Sequence, residues 1–76
     1  MVYILRCKDK SLYTGITNDI EKRIAAHQKG SGAKYTRSRR PVKLIGESMR
    51  MTRKKAMRLE IEIKKMPKEK KIAALS

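Results

Sequence analysis

Residues 1–16 read MVYILRCKDKSLYTGI, and the way their two halves pair decides the fold. Met1 to Cys7 and Ser11 to Ile16 both alternate and are rich in β-forming residues, with Lys8, Asp9 and Lys10 as a loop between them. In an antiparallel hairpin, opposed residues share a face and successive residues alternate. A two-residue loop puts Tyr3 and Tyr13 on opposite faces. A three-residue loop pairs Cys7 with Ser11, Leu5 with Tyr13 and Tyr3 with Gly15, so both tyrosines share one face. Such loops favour Gly at the third, left-handed position. Lys10 stands there instead, a strain of about 1 kcal/mol.

Outward from the hairpin, Thr17-Asn18-Asp19 is a cluster of good N-caps that opens a helix to about Gln28. Its inner stripe is Ile20, Arg23, Ile24 and His27, spaced i, i+3, i+4, i+7, with two polar members. Gly30-Ser31-Gly32 ends that helix and begins an irregular, very basic stretch through Pro41. A third strand is expected over Val42 to Met49. Thr52 caps a second helix to about Lys65, with Ala56, Leu59, Glu60 and Ile63 on one face. Pro67 suits the first turn of a short third helix through Leu75. The expected order is β-β-α-β-α-α, an α+β fold with a small three-stranded antiparallel sheet flanked by helices, in one domain over residues 1–76.

Composition narrows the partners. The 76 residues carry 21 Lys and Arg against 7 Asp and Glu, a formal net charge of +14. That excess repels itself unless a polyanion neutralises part of it. Nucleic acid, anionic membranes and acidic proteins are candidates. No helix pairs a large apolar face with its basic one, which disfavours a membrane surface, and no run of about 18 apolar residues spans a bilayer. The strand-like start does not resemble a signal peptide. Cys7 is the one cysteine, so it has no disulfide partner in the chain, and it reads as a small core residue. A reducing cytoplasm is the expected compartment. Nothing in the sequence sets the oligomeric state.

Each polar candidate has a plain structural reading. Paired strand tyrosines such as Tyr3 and Tyr13 are usually packing. Arg23 could snorkel from the helix edge, His27 could complement a helix C-terminus, and Glu60 could pair with Lys64. What unites Arg23, His27 and Glu60 is their place within apolar stripes. Burying a charge is costly unless something pairs with it, so inward groups of both signs point to a shared polar site.

Met1-Val2-Tyr3, followed ten residues later by Tyr13-Thr14-Gly15, resembles the paired motif of GIY-YIG nucleases. Arg23, His27 one turn on, and Glu60 within A-x-x-L-E-x-x-I match three further motifs of that family in order and spacing. The run G-A-K-Y-T-R from Gly32 to Arg37, with Arg39 and Pro41 after it, is similar to the small stand-alone bacterial members. The resemblance implies the expected fold and metal-dependent cleavage of phosphodiester bonds in DNA, with branched or damaged DNA in repair or recombination as candidate substrates. Tyr3 and Tyr13 would sit at the nucleophile, one of them helping to deprotonate the attacking water. Arg23 would stabilise charge on the phosphate, His27 would support proton transfer, and Glu60 would hold the metal. Gly15 would keep the strand clear for the phosphate backbone.

The residue types suit that chemistry. A tyrosine with a pKa of about 10 needs a nearby cation or metal to become a base. A guanidinium matches phosphate oxygens with two prongs. A lone carboxylate that leaves most positions to water and phosphate suits Mg²⁺, with Mn²⁺ as a substitute. The segment Lys34-Tyr35-Thr36-Arg37-Ser38-Arg39-Arg40 sets an aromatic among cations, as backbone-tracking grooves do, which makes Lys34, Tyr35, Arg37, Arg39 and Arg40 candidate nucleic-acid contacts. Tyr35 either stacks on a base or anchors the loop to the core. Many members of the family carry an Asn after the metal-binding helix, and here none follows Asn18. A non-catalytic nucleic-acid-binding module that keeps the fold is therefore the competing reading.

Overall fold

The structure, a computed structural model, describes residues 1–75. Strands β1 (Val2–Arg6) and β2 (Leu12–Ile16) form the expected hairpin in the three-residue register, with Leu5 opposite Tyr13 and Tyr3 opposite Gly15. Cys7 N–H donates to the Ser11 carbonyl at 2.9 Å, and Lys10 takes the left-handed conformation at φ 68°. The Asp9 carboxylate accepts from both the N–H and the hydroxyl of Ser11, which fixes the loop from within. Strand β3 (Lys43–Glu47) pairs with the other edge of β1, so the sheet order is β2-β1-β3, antiparallel throughout.

The central strand is apolar on both sides because both of its faces are covered. Val2 and Ile4 face a core shared with Ala56, Ile63 and Leu75, while Tyr3, Leu5 and Cys7 face a second core with Val42, Ile20 and Ile24. Helix α1 (Ile20–Lys29) supplies the second core, and helix α3 (Arg53–Lys64) supplies the first from across the sheet. Asp19 caps α1 through Lys22 N–H, Gly30 ends it in the left-handed conformation at φ 85°, and Thr52 caps α3 through Lys55 N–H.

Three expectations need correction. The stretch from Gly30 to Pro41 is not wholly irregular: it contains a one-turn helix, α2 (Lys34–Arg37), that buries Thr36. The third strand is shorter than Val42 to Met49, because the Gln28 amide grips both backbone groups of Val42 just before it. Ser48, just past it, still exchanges hydrogen bonds with Val2. The last helix does not run unbroken to Leu75. It divides into α4 (Lys68–Lys71), with Pro67 at its N-cap, and a 3₁₀ turn at Ala73–Leu75. Helix α4 buries none of its own residues, whereas the turn delivers Leu75 onto the bare backbone of Gly46.

Candidate active site

Strand β1 carries Tyr3 into the core beneath α1, where it is fully buried. Its ring crosses the edge strand at Gly15, and a Cβ on Gly15 would lie 2.5 Å from the phenolic oxygen. Gly15 thus makes room for Tyr3 itself, a nearer reason for its bareness than the passage of a phosphate backbone.

The Tyr3 hydroxyl lies 2.9 Å from Nε2 of buried His27 and 3.3 Å from Nε of Arg23. On the far side of the imidazole, Nδ1 is 2.8 Å from the hydroxyl of Thr36, and that hydroxyl donates to the Ala33 carbonyl. A hydroxyl has one proton. With the Thr36 proton committed to Ala33, His27 must donate from Nδ1, which leaves Nε2 as an acceptor. Tyr3 then donates to His27, and its oxygen accepts from Arg23. One chain of hydrogen bonds runs Arg23, Tyr3, His27, Thr36, Ala33.

The electrostatics agree with that assignment. Burial, aided by the charge of Arg23, holds His27 below its ordinary value and so neutral. Burial also pushes the Tyr3 phenol up, outweighing the hydrogen bond from Arg23 that pulls it down; the charges of Tyr13 and Glu60 push it further. At Tyr3, desolvation is thus a larger effect than the pull of Arg23. The guanidinium of Arg23 is held charged, first by its hydrogen bond to Tyr3, and the Tyr13 hydroxyl adds to this. Arg23 also donates to the Gly32 carbonyl at 3.1 Å. The loop there lies flat on the imidazole, since a Cβ on Gly32 would come within 2.7 Å of His27 Nδ1.

Tyr13 is half-buried on the same face, its ring centroid 6.4 Å from that of Tyr3 and 5.2 Å from that of His27. Tyr35 stacks on it at 6.0 Å, and the Arg39 guanidinium sits 4.0 Å from the centre of the Tyr35 ring. Arg39 in turn binds Asp9 at 3.0 Å and the Tyr35 carbonyl at 2.8 Å. Tyr35 thus packs its loop against Tyr13 while part of its ring stays exposed. Glu60 arrives from α3, on the other side of the sheet, with its side chain one-fifth exposed. It is close enough for its charge to raise Tyr3, and its carboxylate lies 3.5 Å from Lys64 Nζ. The contact it makes is the i, i+4 pair with Lys64, and its link to the tyrosine cluster is through charge. Among the described residues no group of three or more His, Cys, Asp and Glu could hold a metal, so a divalent ion at Glu60 would draw its other ligands from water and phosphate.

The basic segment has internal duties that its composition does not reveal. Arg37 donates to the Gly30 carbonyl, and Arg40 to the carbonyls of Arg37 and Gln28. Arg37 and Arg40 thus staple this loop to the end of α1, where cations also suit the helix dipole, and Arg39 ties it to Asp9 in the β1–β2 loop. Arg37 and Arg40 remain exposed, as does Lys34. Buried Thr36 is the site residue that sequence reasoning missed. Its signal was a small hydroxyl residue at the centre of the basic run. Cys7 is buried, and burial pushes its thiol up, as expected of a core residue.

The family profile described as the GIY-YIG catalytic domain matches residues 1–73. A UPF0213 protein of Staphylococcus saprophyticus is 51% identical over 75 residues, covering 99% of this chain and 92% of that protein. A UPF0213 protein of Clostridium perfringens is 52% identical over 75 residues, covering 99% of this chain and 81% of that one. The solution NMR structure of a UPF0213 protein from Bacillus halodurans, 48% identical, superimposes with a TM-score of 0.55 over 92% of this chain and 74% of that one. With the paired tyrosines, Arg23, His27 and Glu60 in the matched segment and a relative aligned along nearly its whole length, the chain belongs to the GIY-YIG nuclease-domain family.

Proposed function

We propose that this protein is a metal-dependent endonuclease that hydrolyses phosphodiester bonds in DNA, acting on branched or damaged structures in repair or recombination. The observation that carries this reading is the Arg23 guanidinium, fixed by the Tyr3 hydroxyl at 3.3 Å and the Gly32 carbonyl at 3.1 Å while still half-exposed. A cation fixed before substrate arrives needs no reorganisation when charge builds on the phosphate oxygens, and such groups are worth about 10²–10³ in rate.

The two tyrosines take different roles. Tyr3 is sealed from solvent and acts as a positioning residue, holding Arg23 on one side and His27 on the other. Tyr13 is the phenol that reaches the surface beside Arg23, and it orients the attacking water. Water adds to phosphorus and passes its proton through the Tyr13 hydroxyl to solvent. The P–O ester bond breaks with its electron pair on the departing oxygen, which takes a proton from solvent, and Arg23 bears the charge on the non-bridging oxygens. Glu60 is the carboxylate for a divalent ion, Mg²⁺ or Mn²⁺, and such an ion supplies acidified water and charge neutralisation at the phosphate. Lys34 and the free edges of Arg37, Arg39 and Arg40 extend the cationic surface along the DNA.

One observation favours the second reading, a binding module without catalysis: Glu60 already has a cation, Lys64, at 3.5 Å. The test is cleavage of a panel of branched and linear DNA with Mg²⁺ or Mn²⁺, against Glu60→Ala. Metal-dependent nicking lost in the variant supports the nuclease. Wild-type protein that binds branched DNA but never nicks it, with either metal from neutral to mildly alkaline pH, leaves the binding module.

A further inference from the structure

Beside Arg23, where the end of β2 meets the start of α3, a cavity of about 370 Å³ opens to the surface. Its walls are of two kinds. Met1, Met51 and Ile16 are apolar, and Arg23, Arg53 and Asn18 are polar and bring two guanidinium groups. The site chemistry described above uses only Arg23 from this set.

Resting on the nuclease reading, we propose that this cavity is a subsite for an unpaired nucleotide flanking the phosphate that is cut, so that the preferred substrate is single-stranded, flapped or locally opened DNA rather than continuous duplex. The match is chemical. A nucleotide has a flat, polarisable base with hydrogen-bonding edges and an anionic phosphate. Methionine thioethers make favourable contacts with aromatic rings, Asn18 offers both a donor and an acceptor to a base edge, and arginine matches phosphate with two prongs. The cavity is of nucleotide size, and a base that is stacked and paired inside a duplex cannot enter it without leaving the stack. Because Arg23 lines the cavity and also belongs to the tyrosine cluster, an occupant is held directly next to the candidate scissile phosphate.

The surroundings extend the same track. Strand β2 pairs only with β1, so no further strand occupies its outer edge. At the other end of β2 a second cavity, of about 270 Å³, is lined by Tyr13, Tyr35, Lys64 and Lys71. It again sets rings beside cations, the pattern of surfaces that follow a single strand. The first cavity includes Arg23 of the cluster and the second includes Tyr13, so both adjoin it.

The test uses the methyl signals of the whole protein labelled with ¹³C-methyl methionine, titrated with deoxynucleoside 5′-monophosphates, with the matching ribonucleotides and with inorganic phosphate. Met1 and Met51 line the cavity, whereas Met49, 82% exposed, and Met57 do not and serve as internal controls. A deoxynucleotide should shift Met51 and Met1 saturably and leave Met49 and Met57 in place; phosphate alone should leave Met51 unmoved. A ribonucleotide that shifts Met51 much more strongly than the deoxynucleotide would move the substrate from DNA to RNA and overturn the proposal as stated. Arg53→Gln, an exposed change that does not threaten folding, should weaken the nucleotide roughly fivefold. Among oligonucleotides, a single strand should reproduce the Met51 shift and a continuous duplex should not. Equal shifts from phosphate, or from duplex, overturn the proposal. Binding needs neither metal nor turnover, so the two readings fail separately: a protein that shifts Met51 yet never cuts retains the subsite and loses the nuclease, whereas one that cuts with a silent Met51 loses only the subsite.

Discussion

Tyr3 and Gly15 face each other across the β1–β2 pair, and the phenol of the one fills the space where a side chain on the other would stand, 2.5 Å from the position of its Cβ. The same ring then meets His27 and Arg23 through its hydroxyl. Gly15→Ala should therefore displace the ring and break both hydrogen bonds. We expect a loss of about 1–3 kcal/mol from overpacking, read by urea unfolding, together with loss of cleavage. A stable and active Gly15→Ala protein would show that Tyr3 can move without consequence.

Tyr3→Phe and Tyr13→Phe separate the positioning residue from the one that meets water. Removing the Tyr3 hydroxyl leaves a buried imidazole without a partner on Nε2, and should cost about 1–3 kcal/mol of stability as well as activity. Removing the Tyr13 hydroxyl, on a half-buried ring, should leave the melting temperature nearly unchanged and lower kcat by roughly 10²–10⁴. Thermal unfolding and cleavage measured on the same two samples decide the assignment. The reverse pattern places Tyr3 at the nucleophile.

His27 should make stability depend on pH in a definite direction. Burial holds its folded value below the unfolded one, so the unfolded chain binds a proton first as pH falls. The stabilisation is complete above the unfolded value of about 6.5. It is lost as pH falls from there through the lowered folded value. His27→Gln should flatten the urea midpoint between pH 7 and 5. Asp9, whose carboxyl is held down by its hydrogen bonds to Ser11, acts only at lower pH and does not confuse that window.

The arginines of the 30–41 segment should show two separable effects. Replacing Lys34, Arg37, Arg39 and Arg40 with Ala should flatten the salt dependence of DNA binding, whose slope is roughly −0.9 per phosphate neutralised, and should also lower the melting temperature, because three of the four hold the loop. Arg39→Lys keeps the charge but loses the planar contact with Tyr35 and the geometry of the Asp9 pair. It should leave the salt slope intact while loosening the loop, seen as faster amide exchange at Tyr35 and Thr36. An unchanged slope in the quadruple variant would place the nucleic acid elsewhere.

Glu60→Gln should abolish metal-dependent cleavage and leave DNA binding nearly intact, since affinity comes from the surface cations. Its neighbour offers a second readout. Lys64 competes for the same carboxylate, so Lys64→Met should tighten Mn²⁺ binding by about two- to fivefold, the size of an exposed ion pair. Titration calorimetry with the metal alone checks this independently of turnover. A melting temperature that falls in Glu60→Gln with no change in nicking would reduce Glu60 to a structural group.

Sequence alone determined the hairpin and therefore which residues share a face. Strand pairing has a period of two, so once the loop length is set, Tyr3 and Tyr13 have no further choice. The cap cluster at residues 17–19, the Thr52 cap and the stripe through Arg23 and His27 were equally local, written in spacings of three and four residues. Only the tertiary structure decided what those inward groups do. Thr36 reaches His27 because the basic segment folds back on α1, a contact between residues nine apart that no periodicity announces. That contact sets the tautomer of His27 and so the direction of the Tyr3 hydrogen bond. Whether burial or Arg23 governs the Tyr3 phenol was likewise undetermined, because the answer depends on how completely α1 and the loop shut out water. Charge and residue type can be read along a chain; desolvation belongs to the packed molecule.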